Sequence, residues 1–214
     1  MGEIRRVTLL YTANVQGELA LLPRLFTLAQ QQRRAAADSP VFLLDLGDSC
    51  ALSAWVCQAT HGRAPFLVFD SMGYDAALIG GGERVPIPPS ALRRLVANLV
   101  MPIVVWNRAR TLQKRGVEIV LATGNAPAPA HMPMVRVDRT RETLPAIGES
   151  EPTLGDVPQG ALAHVSMSWP DWRVQAATLH TISAQTPPDP TIAAVVELVE
   201  EEARAYTQRE DTTP

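Results

Sequence analysis

Three short polar loops carry the residues best able to do chemistry in this chain. They are "TANVQG" with Asn14 and Gln16, "DLGDS" with Asp48, and "IGGGE" with Gly81, Gly82 and Glu83. Asp48 and Glu83 supply carboxylates, and Asn14 and Gln16 supply neutral amide oxygens. Such donors suit a hard cation such as Mg²⁺ or Ca²⁺, but the amides add no charge to hold it. The glycines read as a turn needing positive φ, and they lack the spacing of a phosphate cradle. No histidine stands in these loops, so they hold no obvious general acid or base. Architectural readings stand beside the chemical ones. Asn14 and Gln16 can be turn formers, Asp48 a strand-end or capping residue, and Glu83 with Arg84 a surface pair.

The other reactive side chains are scattered. His61, His131, His164 and His180 read as structural or solvated. Cys50 and Cys57 are seven positions apart. On one helix they would sit about 10 Å apart along its axis, too far for a disulfide. They are expected to be reduced, buried thiols, and no Cys/His cluster has zinc spacing. Trp169-Pro170-Asp171-Trp172 reads either as packing at the rim of the core or as an exposed contact patch.

Strand and helix signals that alternate over residues 1–110 must position these loops. Val7–Leu10, "SPVFLLDLGDS", "YDAALIGGGE" and "MPIVVWN" read as strands. Leu22, Leu25, Phe26 and Ala29 recur at helical spacing in a helix reaching about Arg34. Ala51–Ala59 and Pro65–Met72 can form helices, and Ser90 can cap one through Leu99. This order argues a largely parallel sheet with helices on its faces. The carboxyl ends of its strands share one edge, where ligands bind in open sheets. Val117–Ala122 adds a fifth strand. Between 125 and 158 prolines recur, and the segment reads as an ordered, loop-rich wrap. "ALAHVSMSW" and "WRVQAATLHTI" read as a hairpin around Pro170-Asp171. "PPDPTIAAVVELVEEEARAY" reads as a closing helix with Asp189 as its cap. The expected organisation is one domain over 1–208: a βα core (1–124), the Pro-rich wrap (125–158), and the hairpin with its helix (159–208). A disordered tail (209–214) follows.

Composition narrows the partners. The chain has 214 residues, 46% hydrophobic and 19% charged, with a net charge of −3. That is a globular balance, with no basic excess to draw nucleic acid or an anionic membrane. No stretch approaches the roughly 20 apolar residues of a membrane span. The N-terminal apolar run breaks too early for a signal-peptide core, which places the chain in the cytoplasm.

Taken in order, the loops resemble those of the calcineurin-like metallophosphoesterases, in the 5'-nucleotidase branch. That branch has a T-N-D-x-H-G type motif after its first strand, then L-D-x-G-D, then "lGYDa" before G-N-H-E, then a strand ending in Asn. The counterparts here are "YTANVQG", "LLDLGDS", "MGYDAALIGGGE" and "MPIVVWN". The resemblance covers most of residues 6–110 and, more loosely, 160–205. It implies a layered α/β sandwich with a mostly parallel sheet, a C-terminal β-hairpin and a closing helix. It also implies phosphoester hydrolysis by two divalent metals that Asp, His and Asn hold.

The departures change that implication. The first-motif Asp falls on Asn14 and its His on Gln16. The bridging carboxylate is kept as Asp48. The Asn and His of G-N-H-E fall on Gly81 and Gly82, leaving Glu83. For the later G-H-x-H motif the nearest stretch is "ATGNAPAP", with Asn125 and Pro127 in place of histidines; "GVEIVLATG" could equally be a different strand of the family. One surviving carboxylate cannot balance two dications a few ångströms apart. The first reading is therefore a non-catalytic, pseudoenzyme domain that acts as a binding or assembly subunit with a protein partner and without a cofactor. The second is a metal-dependent phosphoesterase with one divalent ion, Mg or Mn, at Asp48, Asn14 and Gln16. The third is a metal-free α/β protein that binds a nucleotide or another small phosphorylated ligand.

Overall fold

The apolar runs that open the chain become a parallel set. In the computed structural model, which describes residues 6–80, 87–127, 131–141 and 144–211, β1 (Arg6–Thr12), β2 (Val41–Asp45), β3 (Ala76–Ile79) and β4 (Ile103–Val105) lie side by side in that order. β9 (Ala161–Ser168) pairs antiparallel with the free side of β1, and β10 (Val174–Thr181) forms the edge. These six strands make one sheet.

Strand side chains alternate between two faces, and both faces of this sheet are apolar. Leu10, Leu43, Ala77 and Leu162 face a helix layer. That layer contains α1 (Leu22–Ala35), α2 (Trp55–Ala59), α3 (Ala64–Ser71), α4 (Pro89–Asn98) and α5 (Pro190–Asp211). Leu22, Leu25, Leu28 and Ala29 form the buried stripe of α1, at the helical spacing the sequence shows. Leu9, Phe42, Leu44, Ala76 and Val165 face the other way. They meet a second, four-stranded sheet of β5 (Ala109–Lys114), β6 (Val117–Thr123), β7 (Met134–Val137) and β8 (Thr153–Leu154). Its inward residues include Leu112, Ile119, Leu121, Val135, Val137 and Leu154.

The layers thus run helices, six-stranded sheet, four-stranded sheet. The α/β sandwich is as expected, but the helices described cover one face of the main sheet only. A second sheet covers the other. Several of its strands were hidden in the sequence. β5 is mostly exposed and polar, so it lacks an apolar run. β7 and β8 lie inside the Pro-rich wrap, yet β7 pairs in parallel with both β6 and β8.

The ends of elements confirm some expectations and correct others. Asp189 caps α5: its Oδ1 accepts the N–H groups of Thr191 and Ile192 at 3.0 Å each. The β9–β10 hairpin turns at Trp169–Pro170, a cis bond, with the Trp169 and Trp172 rings 5.3 Å apart. Ser90 does not cap α4. Pro88 holds the N-cap position and Pro89 opens the helix, so Ser90 lies already inside the first turn. The cysteines require the largest correction. Cys50 and Cys57 form a disulfide, with an S–S distance of 2.14 Å and Cα atoms 5.7 Å apart. α2 starts only at Trp55, so Cys50 is not on it, and the turn between them folds the pair together. The helix is shorter than its apolar pattern suggests. No described helix is long and apolar enough to cross a membrane.

Candidate functional site

β1 and β2 go on pairing beyond their last strand residues. The Asn14 N–H donates to the Gly47 carbonyl at 3.1 Å, Gln16 to Asp48 at 3.0 Å, and Gly17 to Ser49 at 2.8 Å. The two loops are thereby joined at the carboxyl edge of the sheet, which brings Asn14, Gln16 and Asp48 together. The Gln16 amide also donates to Asp48 Oδ2 at 3.3 Å. All three residues hold left-handed backbone, with φ of 57°, 54° and 56°. Asn and Asp enter that region readily, whereas Gln does so less often. Asp48 caps no described helix, because the N-cap of α2 is Ala54.

Two neighbours fix these loops. Asp45, fully buried at the end of β2, accepts from Ser49 Oγ at 2.7 Å, the Gly47 N–H at 3.1 Å and Thr12 Oγ1 at 3.3 Å. Thr12 and Tyr74 are hydrogen-bonded at 2.9 Å. Burial, and secondarily the Asp45 charge, keep the Tyr74 hydroxyl protonated well above its usual range. The second neighbour is the disulfide. A Cβ on Gly17 would lie 2.5 Å from Ala54 Cβ and 2.7 Å from Cys57 Sγ, at φ +82°. Only glycine fits there.

Asn14 is engaged from the opposite side by the Pro-rich wrap. Its Nδ2 donates to both carboxylate oxygens of Asp156 at 3.0 Å and to the Val157 carbonyl at 2.8 Å. Its Oδ1 accepts from Arg139. Arg139 in turn pairs with Asp156, through Nη2 at 2.8 Å and Nε at 3.0 Å. Both ends of the Asn14 amide are therefore used within the chain. Gln159 adds a tie, donating to the Val15 carbonyl at 3.0 Å. Sequence reasoning missed Arg139, Asp156 and Asp45. Arg139 and Asp156 lie far along the chain from the loops they serve, and Asp45 sat unremarked inside an apolar run.

The third loop is only partly placed. Gly81, Gly82 and Glu83 lie outside the described residues. Gly80, at φ +100°, packs against Trp106. Asn107, at the end of the β4 segment, accepts the Asn125 N–H at 3.3 Å, so the "WN" and "ATGN" loops meet each other. Among the described residues, no group of three or more His, Cys, Asp or Glu side chains is arranged to hold a metal ion. A cleft of about 400 Å³ opens beside Gln16, lined among others by Glu18, Ser53, Trp55, Gln159 and Glu200.

No family model matches the chain, and no curated protein matches it in sequence. Solved structures do match. A candidate 5'-nucleotidase from Staphylococcus aureus, in complex with alpha-ketoglutarate, superposes with a TM-score of 0.57 at 9% identity, over 92% of this chain. The protein TT1561 of Thermus thermophilus superposes with a TM-score of 0.50 at 12% identity, over 85% of this chain and 100% of that one. The fold is metallophosphoesterase-like. At these identities the likeness is one of fold, and the chain spans 58% of the length of the Staphylococcus aureus protein. In this metallophosphoesterase-like frame, the edge that carries Asn14, Gln16 and Asp48 is closed over at Asn14 by Arg139, Asp156 and Val157.

Proposed function

We propose that the chain is a non-catalytic metallophosphoesterase-like domain that serves as a binding or assembly subunit. The observation that supports this reading is the engagement of Asn14. A residue standing where the resemblance implies an acidic metal ligand instead presents its oxygen to the Arg139 guanidinium and its amide to Asp156. A guanidinium there repels a dication, and it already supplies the positive charge that Asp156 needs. Gln16 meanwhile covers one oxygen of Asp48. This donor set does not suit a pair of divalent metals, so no hydrolytic step is derived through one.

A direct test combines elemental analysis of the purified protein with phosphatase assays in added Mn²⁺, using nucleotides and simple aryl phosphates. The expected result is no stoichiometric divalent metal and no turnover above buffer. Turnover that Asp48→Asn abolishes would overturn the reading in favour of a phosphoesterase with a reduced site. One observation favours that second reading: Asp48 is only half-buried, and Gln16 is the side chain bonded to it.

A further inference from the structure

The cleft beside Gln16 has a consistent chemical character. It lies at the carboxyl edge of the main sheet, between the loops that follow β1 and β2 and the flank of α5. Ligands of open α/β sheets bind at this edge. No Lys or Arg is among the described residues that line it. The amide nitrogens of Gln16 and Gln159, which line the cleft, donate to Asp48 and to the Val15 carbonyl. The Glu18 carboxylate stands on the exposed rim. Glu200 gives one oxygen to Arg204 at 3.0 Å. The wall is thus rich in acceptors. It also carries an indole, Trp55, 45% exposed.

The chain already shows what this indole accepts. The Arg204 guanidinium stands 5.4 Å from the centre of the Trp55 ring while Glu200 holds it. An aromatic face with carboxylates beside it attracts an organic cation, and the pull grows as water is excluded. The same wall offers a phosphate no lining Lys or Arg: Arg204 beside it is already paired with Glu200, and Glu18 adds negative charge.

We propose that this cleft binds a small organic cation with N–H donors, a primary ammonium or guanidinium group, held between the Trp55 ring and the carboxylates of Glu18 and Glu200. The site deepens the binding role proposed above and stays independent of the metal question. Failure of the non-catalytic reading would appear as phosphatase turnover, whereas failure here would appear as lost amine binding.

Titration calorimetry with spermidine, with inorganic phosphate as the anionic counterpart, tests the assignment. Spermidine is expected to bind saturably, and phosphate not to bind. Trp55→Ala and the isosteric Glu18→Gln should each weaken spermidine about fivefold or more. Arg204→Ala, which frees the ring and Glu200, should tighten it. These positions are exposed, and thermal melts of each variant check that the fold is intact. The proposal is overturned if spermidine shows no saturable binding, if Trp55→Ala and Glu18→Gln leave it unchanged, or if phosphate competes for the cleft.

Discussion

Asn14 and Asp156 stand 142 positions apart in the chain and meet side chain to side chain at 3.0 Å. With Arg139 they form a closed set in which donors and acceptors are matched. The Arg139 side chain is only 13% exposed, so its charge depends on this partner. Asp156→Ala leaves a largely buried guanidinium without its counter-charge, bonded to Asn14 Oδ1, and leaves the Asn14 amide nitrogen with the Val157 carbonyl as its acceptor. The expected loss is about 1–3 kcal/mol of unfolding free energy, read by denaturant titration. Asn14→Asp, which restores the acid implied by the resemblance, sets a carboxylate against Asp156. It should lower the Tm rather than confer phosphatase activity. A variant as stable as the parent would show that Arg139 has room for both acids.

The Cys50–Cys57 bond and Gly17 form one packed unit. Gly17→Ala forces a methyl group to within 2.5 Å of Ala54 Cβ, at a backbone angle unfavourable for alanine. The cost should be about 2–4 kcal/mol, visible as a lower denaturation midpoint. Reduction of the disulfide opens a short loop and should cost about 2 kcal/mol by the chain-entropy argument. Thiol counting by mass spectrometry on protein trapped in cells has a further use. Disulfides persist in oxidising compartments, so an oxidised pair would argue against the expected cytoplasmic location.

Much of the main sheet was legible because its strands are continuous apolar runs ending in glycine-containing loops. The meeting of the β1 and β2 loops at one edge followed from the parallel connection of those strands. The pairing of Asn14, Gln16 and Asp48 was legible for the same reason, since β1 and β2 are neighbours. Sequence could not show what closes over Asn14. Arg139 and Asp156 sit in a segment whose prolines suppress any periodic signal, and a single Arg or Asp in such a stretch resembles solvated surface. β5 was lost because its outward residues are polar. The disulfide was lost because an apolar pattern over 51–59 masked a turn ahead of a five-residue helix.

Asp45 gathers Ser49, Gly47 and Thr12 from a position with no solvent exposure. Asp45→Ala removes the acceptor these groups share, although Thr12 keeps its bond to Tyr74, and each buried group left unpaired costs about 1–3 kcal/mol. The variant should be destabilised by several kcal/mol or fail to accumulate. Asp45→Asn, nearly the same shape but neutral, can keep some of the bonds. It should fall between parent and Asp45→Ala in urea unfolding. Equal losses for the two variants would show that the charge matters more than the hydrogen-bond count.

His164 predicts an acid limb of stability. Its Nδ1 lies 3.0 Å from Gln32 Oε1 in α1, and its ring centre is 6.0 Å from that of His180 on β10. Burial first, then the His180 and Arg6 charges, disfavour the imidazolium and lower its pKa from the usual 6.5. The unfolded chain therefore takes up this proton before the folded one does. Stability attributable to His164 is complete above about pH 6.5 and declines as pH falls from there through the lowered folded value. Carboxylates titrate nearby, so the informative quantity is a difference. Thermal melts of the parent and of His164→Gln across this window should show the parent losing Tm faster on acidification. Parallel curves would mean that the imidazole is solvated well enough to carry its charge in the folded state.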